Sequence, residues 1–298
     1  MVAPTSLVAP VFQSLGDPAL DRATLVYETL GQAVSDAINV ARLSVEAMNT
    51  TVQLYGVAAS ITALHATIEP AIRSQAERDA LFLKRETEDG FPITWSQTAV
   101  AIWGQLEAFV EDFAAVVIEF EPELLLRKDL SKINVPIGDY LHADDERHLL
   151  VVRQMQQMKS ESPSGTRTRG VNQFEDMFKR LDVAGEPDRS VCDTLLELNG
   201  VRNVFAHRRG IADRRFAKDI PQFGVNVGER IKIDGARALD YGMAALVYGA
   251  LVLRRYLRRK NAPQERLDAL HGTVEPLSYN VNVGRQRVGA RGFAKPSE

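Results

Sequence analysis

The chain has 298 residues, of which 45% are hydrophobic and 25% are charged, and its net charge at pH 7 is −3. These proportions exclude a disordered chain, a collagen-like fibre and a disulfide-rich scaffold. The length allows one large domain or two modest ones. Because the net charge is slightly negative, any contact with RNA or DNA has to come from local basic clusters.

The single cysteine and the shortness of the apolar stretches indicate the cellular compartment of the protein. Cys192 has no partner for an internal disulfide, and its apolar neighbours predict a buried, unreactive thiol. Residues 1–9 lack the basic start and long apolar run of a secretory signal. The longest apolar stretches, 54–64 and 244–253, are shorter than the roughly 20 residues that span a bilayer. We therefore expect a cytoplasmic protein without membrane contact.

The first third of the chain is predicted to be a short flexible entry followed by helices. Residues 1–20 contain scattered prolines and are expected to be flexible, and apolar residues then recur at helical steps through region 21–90. Pro70 is expected to interrupt the second helix, and residues 86–92 have the composition of a linker. Whether these helices pack on the rest of the chain or bind a partner protein stays open.

The remainder is also predominantly helical in pattern. A strong helix with a wide apolar face begins after Pro92, with Thr94 as its expected N-cap. Further predicted helices cover about 144–158, 172–181, 188–210 and 236–260. The Ser-, Gly- and Arg-rich segment 160–170 is expected to be a mobile loop, and 263–298 a mobile basic tail.

One segment has the alternation of strands. Val225 and Val227 alternate with polar residues, as do Ile231 and Ile233, with Gly228 between the two runs. Two such runs joined by a Gly-first turn predict a β-hairpin. The predicted fold class is therefore all-α, a helical bundle with a small β-hairpin insert before the last helix.

Most familiar catalytic motifs are missing from the sequence. It contains no phosphate-binding loop, no dinucleotide-binding glycine pattern, no zinc-protease motif and no nucleophile elbow. The acidic and histidine residues of 142–148 have metal-binding chemistry, but Asp144 and Asp145 are better explained as caps at a helix start. We expect no cofactor and no metal.

The informative stretch is Arg202-Asn203-Val-Phe-Ala-His207, near the end of the helix predicted over 188–210. Asn203 and His207 are four residues apart and share a helix face, whereas Arg202 reaches the same site obliquely. Histidine moves protons near neutral pH, and arginine holds phosphate with a planar fork of donors. Since the 2′-hydroxyl of RNA is an internal nucleophile, these groups support RNA cleavage without a metal. The alternative is an Arg202 paired to Glu197 or Asp193 and a His207 stabilised by the helix dipole.

The motif resembles the signature of the HEPN superfamily, in which Arg and His are separated by four to six residues and a polar residue follows the Arg. The resemblance covers residues 92–262, including the late helix, the turn and the long final helix. It implies a helical bundle, commonly dimeric, that acts as a metal-independent endoribonuclease, often a toxin or an antiviral defence effector with a regulatory protein partner. Members paired with nucleotidyltransferase antitoxins usually carry Tyr two residues after the His, where this chain has Arg209.

The resemblance also implies roles for individual residues. His207 would be the acid and base, Arg202 the phosphate clamp, Asn203 the orienting group, and Glu107 of an earlier helix a support for Arg202. The partners implied are RNA and a second copy of the chain, as a homodimer. Two other functions stay open: a non-catalytic HEPN-like module that binds RNA or nucleotide, and a structural helical interaction protein.

Two basic clusters could collect an RNA backbone. The first surrounds the motif and supplies the candidate RNA-binding residues Arg208, Arg209, Arg214 and Arg215. The second, 254–260, ends the last predicted helix, where cations also simply suit the helix dipole. Proximity of the two clusters in the fold would favour RNA binding.

Overall fold

The computed structural model of the chain describes Phe12, Ser14 and residues 16–62, 70–158 and 170–272. Most of these residues are helical, which confirms the predicted all-α bundle. The α-helices are α1 Pro18–Thr62, α2 Pro70–Glu88, α3 Pro92–Phe120, α4 Ile137–His142, α5 Arg147–Gln157, α6 Asn172–Arg180, α7 Arg189–Arg208, α8 Arg214–Asp219 and α9 Gly235–Arg259. Short 3₁₀ turns occur at Pro122–Leu126, Leu130–Lys132, Asp144–Glu146 and Pro221–Phe223.

Helix α3 lies at the centre of the bundle and packs against α1, α5, α7 and α9. It has a wide apolar face, and Trp103, Leu106 and Phe113 are fully buried there. The Trp103 ring stacks on Phe174 at 5.5 Å, and the Phe113 ring meets Tyr256 edge-on at 5.6 Å. Full burial of such side chains contributes about 1.5–3 kcal/mol each, so this helix holds the other four against one core.

Helix α1 belongs to the same core through its first half. Two glycines of α9 let α1 approach closely, because a Cβ at Gly242 would lie 2.8 Å from Ile38 and one at Gly249 would lie 2.7 Å from Leu30. Leu30 and Val34 are buried in the cluster that also contains the α3 and α9 side chains. The first half of region 21–90 therefore packs on the bundle, which answers the question that its sequence left open.

The predicted β-hairpin is wrong. No β-strand occurs among the residues that the structure describes, and Ile211 forms an isolated antiparallel bridge with Arg230 instead. The second apolar run therefore lies beside the residues that follow α7, and the backbone N–H of Ile231 donates to the Gly210 carbonyl at 2.9 Å. Gly228, with φ of 91°, is in a turn, and in the first run Val227 is 56% exposed while only Val225 packs, partly buried, against the core.

The junction between α2 and α3 differs from the predicted linker. Thr94 does not cap α3, which begins at Pro92 after Phe91 in a left-handed conformation. The buried carboxylate of Glu86 in α2 instead accepts a hydrogen bond from the backbone N–H of Ile93 at 3.2 Å. A long side chain from the preceding helix thus satisfies one of the free N–H groups at the start of α3.

The chain ends are helical farther out than the sequence indicated. Helix α1 begins at Pro18, with Ala19 and Leu20 buried, inside the segment 1–20 expected to be flexible. Residues 264–272, inside the expected mobile tail, are helical and bury Leu267 and Leu270 against the bundle. The rest of both terminal segments, residues 1–11 and 273–298, and most of the loop predicted over 160–170 lie outside the described residues.

One helix in the described part of the chain, α9, is long and apolar enough to cross a membrane. Its most apolar window is 72% buried inside the bundle, as expected for the core helix of a water-soluble protein.

Candidate functional site

Helix α7 carries the Arg-Asn-His motif, and its two ends are well defined. Asp188 caps the start, close to the predicted beginning of this helix, and accepts a hydrogen bond from the Ser190 N–H at 3.1 Å. The helix ends at Arg208, and Arg209 follows in the left-handed conformation with φ of 56°. The Gly210 N–H then donates to the Val204 carbonyl at 3.2 Å, which closes the last turn directly beside His207.

Three polar side chains form a row along one face of α7. Asn199, Asn203 and His207 are spaced by four residues each, and all three line a groove of about 430 Å³ between α7 and α8. The opposite wall of the groove belongs to α8 and its flanks, with Asp213, Arg215, Phe216, Asp219 and Ile220. A volume in this range is that of a small-molecule or single-nucleotide site.

The groove depends on a close approach between α7 and α8. A Cβ at Gly200 of α7 would lie 2.1 Å from Ile220 Cδ1 and 3.3 Å from the Phe216 ring. Asp213 fixes the start of α8 by accepting a hydrogen bond from the Phe216 N–H at 2.8 Å. The missing side chain at Gly200 and the Asp213 cap together place α8 beside the row of polar side chains.

Arg202 lies on the neighbouring face of α7 and is oriented by two side chains. Its Nη2 is 3.6 Å from Glu107 Oε2 of α3, and its Nη1 donates to Asn203 Oδ1 at 3.1 Å. The side chains of Arg202 and Glu107 are 32% and 37% exposed, so the guanidinium keeps access to solvent. The contact between Glu107 and Arg202 that the family resemblance implied is present.

His207 is exposed at the mouth of the groove, in the last turn of α7. No hydrogen bond or ion pair joins Arg202 to His207 within the described chain. Asn203 connects them, because it contacts Arg202 directly and shares the groove wall with His207.

The acidic partners considered for Arg202 from the sequence are engaged elsewhere. Glu197 is buried and accepts from the Tyr241 hydroxyl at 2.8 Å and from Arg237 Nε at 2.9 Å, which ties α7 to α9. Asp193 lies 3.9 Å from Arg189 within α7. The alternative in which one of these carboxylates occupies Arg202 is therefore wrong.

The first basic cluster surrounds the groove. Arg208 is 3.8 Å from Asp213 and Arg215 is 3.6 Å from Asp219, and both arginine side chains are more than half exposed. Exposed ion pairs of this kind contribute at most about 1 kcal/mol, so an incoming phosphate can exchange for the carboxylate. Arg209 and Arg214 are exposed, and no residue in the described ranges forms an ion pair with either.

The second basic cluster is largely used inside the protein. Arg255 Nη1 is 2.8 Å from Glu175 Oε1, Arg259 binds Glu121, and Lys260 lies 3.7 Å from the same carboxylate. These pairs are mostly shielded from solvent and join the end of α9 to α3 and α6. They serve the fold, as expected for cations at a helix end that face carboxylates of neighbouring helices.

The two basic clusters lie at opposite ends of the α7 and α9 pair. Tyr241, near the start of α9, contacts Glu197 in the second half of α7. Arg255, near the end of α9, lies against Gly185, which precedes α7. The 17 helical steps from residue 237 to 254 span about 25 Å. Within one chain, the two basic clusters therefore do not lie close together, as they would have to in a joint RNA surface.

Among the described residues, no group of three His, Cys, Asp or Glu side chains is close enough to hold a metal ion. Asp144 does not have the expected cap role, since the 3₁₀ turn that begins there follows Ala143 and has no side-chain cap, and the side chain of Asp145 lies outside the described part of the chain. Cys192 is half-buried, and burial together with the nearby carboxylates raises the pKa of its thiol. The prediction of an unreactive thiol thus has a physical basis in the fold.

Sequence reasoning missed one polar member of the site. Asn199 lies four residues before Asn203 and accepts a hydrogen bond from Asn203 Nδ2 at 3.3 Å. The four-residue spacing of Asn199, Asn203 and His207 places all three on one helical face and could have indicated this residue. The family signature does not include it, because that signature begins at Arg202.

Comparisons with known protein families, with curated proteins and with solved structures find no match for this chain.

Proposed function

We propose that the chain is a metal-independent endoribonuclease of HEPN type. One observation supports this above all: Arg202 is oriented by Asn203 and Glu107 beside an open groove whose wall includes the exposed His207. RNA cleavage requires a cation held in place, an exposed imidazole and a groove of nucleotide size.

In the proposed reaction, His207 takes the proton from a ribose 2′-hydroxyl, and the oxygen attacks the adjacent phosphorus. The bond to the 5′-oxygen of the next nucleotide breaks, and that oxygen receives a proton. The products are a 2′,3′-cyclic phosphate and a free 5′-hydroxyl, so no water, metal or cofactor is consumed in this step. Arg202 neutralises the charge that develops on the phosphate oxygens, and Asn203 orients its guanidinium.

A homodimer would complete such a site. Among the described residues that line the groove, His207 is the only histidine, whereas the reaction needs one proton acceptor and one proton donor. A second copy facing the groove would supply a second Arg202 and His207 pair. We include a homodimer, a cytoplasmic location and a role as a toxin or antiviral defence effector restrained by a protein regulator in the proposal, on the family resemblance.

The test is cleavage of single-stranded RNA by the purified chain in EDTA, with the ends of the products identified by mass spectrometry. We expect 2′,3′-cyclic phosphates and no cleavage of a substrate with 2′-deoxyribose at the cut position. Products in which every end carries a 3′-hydroxyl would contradict the proposed chemistry.

The first prediction concerns the imidazole. Because general acid–base groups contribute about 10²–10⁴-fold to rate, His207→Ala should abolish detectable cutting. The side chain is exposed, so the thermal midpoint of unfolding should change little. The matched control is His142→Ala, an exposed histidine of α4 that lies outside the groove, and it should cut normally.

The other two functions predict different results in the same assay. A non-catalytic module would bind RNA in a salt-sensitive manner, weaken on Arg202→Ala, and give no product. A structural protein would show neither binding nor cleavage. Full cutting by the His207→Ala variant would overturn the assignment of this residue.

A further inference from the structure

The amide of Asn203 is held at both of its ends. Its Oδ1 accepts from Arg202 Nη1 at 3.1 Å, and its Nδ2 donates to Asn199 Oδ1 at 3.3 Å. The guanidinium of Arg202 has only donors, so it binds the Oδ1 end of the Asn203 amide, and the NH₂ end is left for Asn199. Arg202 therefore selects the orientation of the amide, and Asn199 holds its other end in place.

We propose that Asn199 is a positioning residue of the site, which acts through Asn203 on the guanidinium of Arg202. This inference rests on the proposed function and adds to it a residue outside the Arg-Asn-His motif. A chain of four side chains results, from Glu107 through Arg202 and Asn203 to Asn199, which links α3 to the groove wall of α7.

Removal of the acceptor at Asn199 loosens this chain at one end. The Asn203 NH₂ group then has no acceptor at Asn199, and the amide is held only by its contact with Arg202. That contact should break more often, because the second end of the amide is no longer fixed. Whenever it breaks, Arg202 keeps only the 3.6 Å contact with Glu107 of α3.

A purely structural role does not account for this pair of asparagines. Both side chains are half-buried and line the groove. A hydrogen bond between residues four apart on a helix stabilises it by only about 0.2–0.5 kcal/mol. Loss of Asn199 should therefore barely change the stability of the fold, and any effect on catalysis has to come from geometry.

The experiment is a double-mutant cycle on RNA cleavage with Asn199→Ala and Asn203→Ala. Loss of one positioning hydrogen bond should lower kcat roughly three- to tenfold in Asn199→Ala. In the Asn203→Ala background, the same substitution should have no further effect, because the side chain that transmits it is gone. Equal losses in the two backgrounds would overturn the proposal.

A conservative variant separates positioning from direct contact with RNA. Asn199→Asp still accepts from Asn203 Nδ2 but has no amide donor of its own. We expect it to recover kcat to within about threefold, with a raised KM because it adds a negative charge to a phosphate groove. If Asn199 instead donated to the substrate, Asn199→Asp would lose kcat as completely as Asn199→Ala.

A readout without RNA keeps this inference distinct from the proposed function. In ¹⁵N–¹H spectra, the side-chain amide of Asn203 is assigned by its loss in Asn203→Ala. Asn199→Ala should shift this signal and the Arg202 Nε signal, and Asn199→Asp should shift them less. Unchanged signals in Asn199→Ala refute the positioning role, whereas absence of cutting by the unmodified chain refutes only the nuclease.

Discussion

At the scale of single residues, the orientation of one guanidinium decides what the site can do. Arg202 is about one third exposed, so its ion pair with Glu107 contributes at most about 1 kcal/mol to folding. The arrangement of Glu107, Arg202 and Asn203 therefore matters more for where the positive charge points than for stability. A planar group with several donors can contact a carboxylate, an amide and a phosphate at the same time.

The second prediction follows from this geometry. Lysine at position 202 keeps the charge but has no planar fork, so it cannot hold the Asn203 amide while it binds phosphate. We expect Arg202→Lys to lower RNA cleavage by roughly 10-fold or more, which is the loss of one charge-assisted hydrogen bond. The thermal midpoint should fall by no more than about 3 °C.

Arg258→Lys is the matched control for this substitution. Arg258 is exposed at the far end of α9, and its replacement should leave both cleavage and the midpoint unchanged. Equal activity of Arg202→Lys and the unmodified chain would mean that charge alone is sufficient at this position.

At the scale of elements, the contact between α7 and α8 forms the groove. Gly200 allows Ile220 and Phe216 to approach the α7 backbone, and Ile220 is almost completely buried there. Gly104 of α3 offers the opposite environment, because nothing lies within 4 Å of the position that its Cβ would take. Alanine at position 104 would therefore change only the helix propensity, whereas alanine at position 200 would also create a packing clash.

The third prediction compares alanine at these two positions. Gly104→Ala should stabilise the chain by about 0.5–1 kcal/mol, since alanine is the better helix former and meets no neighbour. Gly200→Ala should destabilise it, because overpacking costs about 1–3 kcal/mol and exceeds the gain in propensity. Both values are measured by chemical denaturation.

Removal of the clashing methyl group tests whether contact with Ile220 causes the loss of stability expected for Gly200→Ala. Ile220→Val deletes the Cδ1 atom that a Cβ at Gly200 would meet at 2.1 Å. The double variant should therefore lose less stability than the sum of the two single variants. Strict additivity would show that the contact with the Ile220 methyl group does not cause the loss of stability.

At the scale of the whole molecule, the two basic clusters differ in their availability. The arginines around the groove are themselves exposed, even where a carboxylate pairs with them, whereas Arg255 and Arg259 at the other end of α9 are mostly shielded and are committed to Glu175 and Glu121. Because about 25 Å separates the clusters, RNA bound at the groove should not depend on the far cluster. The proposed function thus relies on a local positive field, in a chain whose net charge is negative.

The fourth prediction uses one exposed arginine from each end. Arg214→Ala should weaken RNA binding and reduce the slope of log affinity against log salt by about 0.7, the value for one phosphate contact with a single strand. Arg258→Ala should change neither quantity. Equal effects of the two substitutions would mean that RNA extends along the whole bundle, and no effect of Arg214→Ala would remove α8 from the RNA surface.

The sequence by itself determined the helical class and the position of the main helices. Periodic apolar residues make one face of each helix, and local signals such as Asp188 act within a few residues, so α7 and α9 could be predicted closely. Alternation of apolar and polar residues was not sufficient to predict the structure of the segment before α9. A strand also needs a partner and a buried face, and the structure pairs Ile231 with Gly210 instead.

Only the tertiary structure decided which side chains meet. Glu107 and Arg202 are far apart in the sequence, and nothing local distinguishes Glu107 from Glu197 as a partner for the arginine. The choice depends on which helices pack together: α9 binds Glu197 through Arg237 and Tyr241, and α3 brings Glu107 to Arg202. Long-range packing of this kind is set by the whole core at once, so it does not follow from the spacing of residues along one helix.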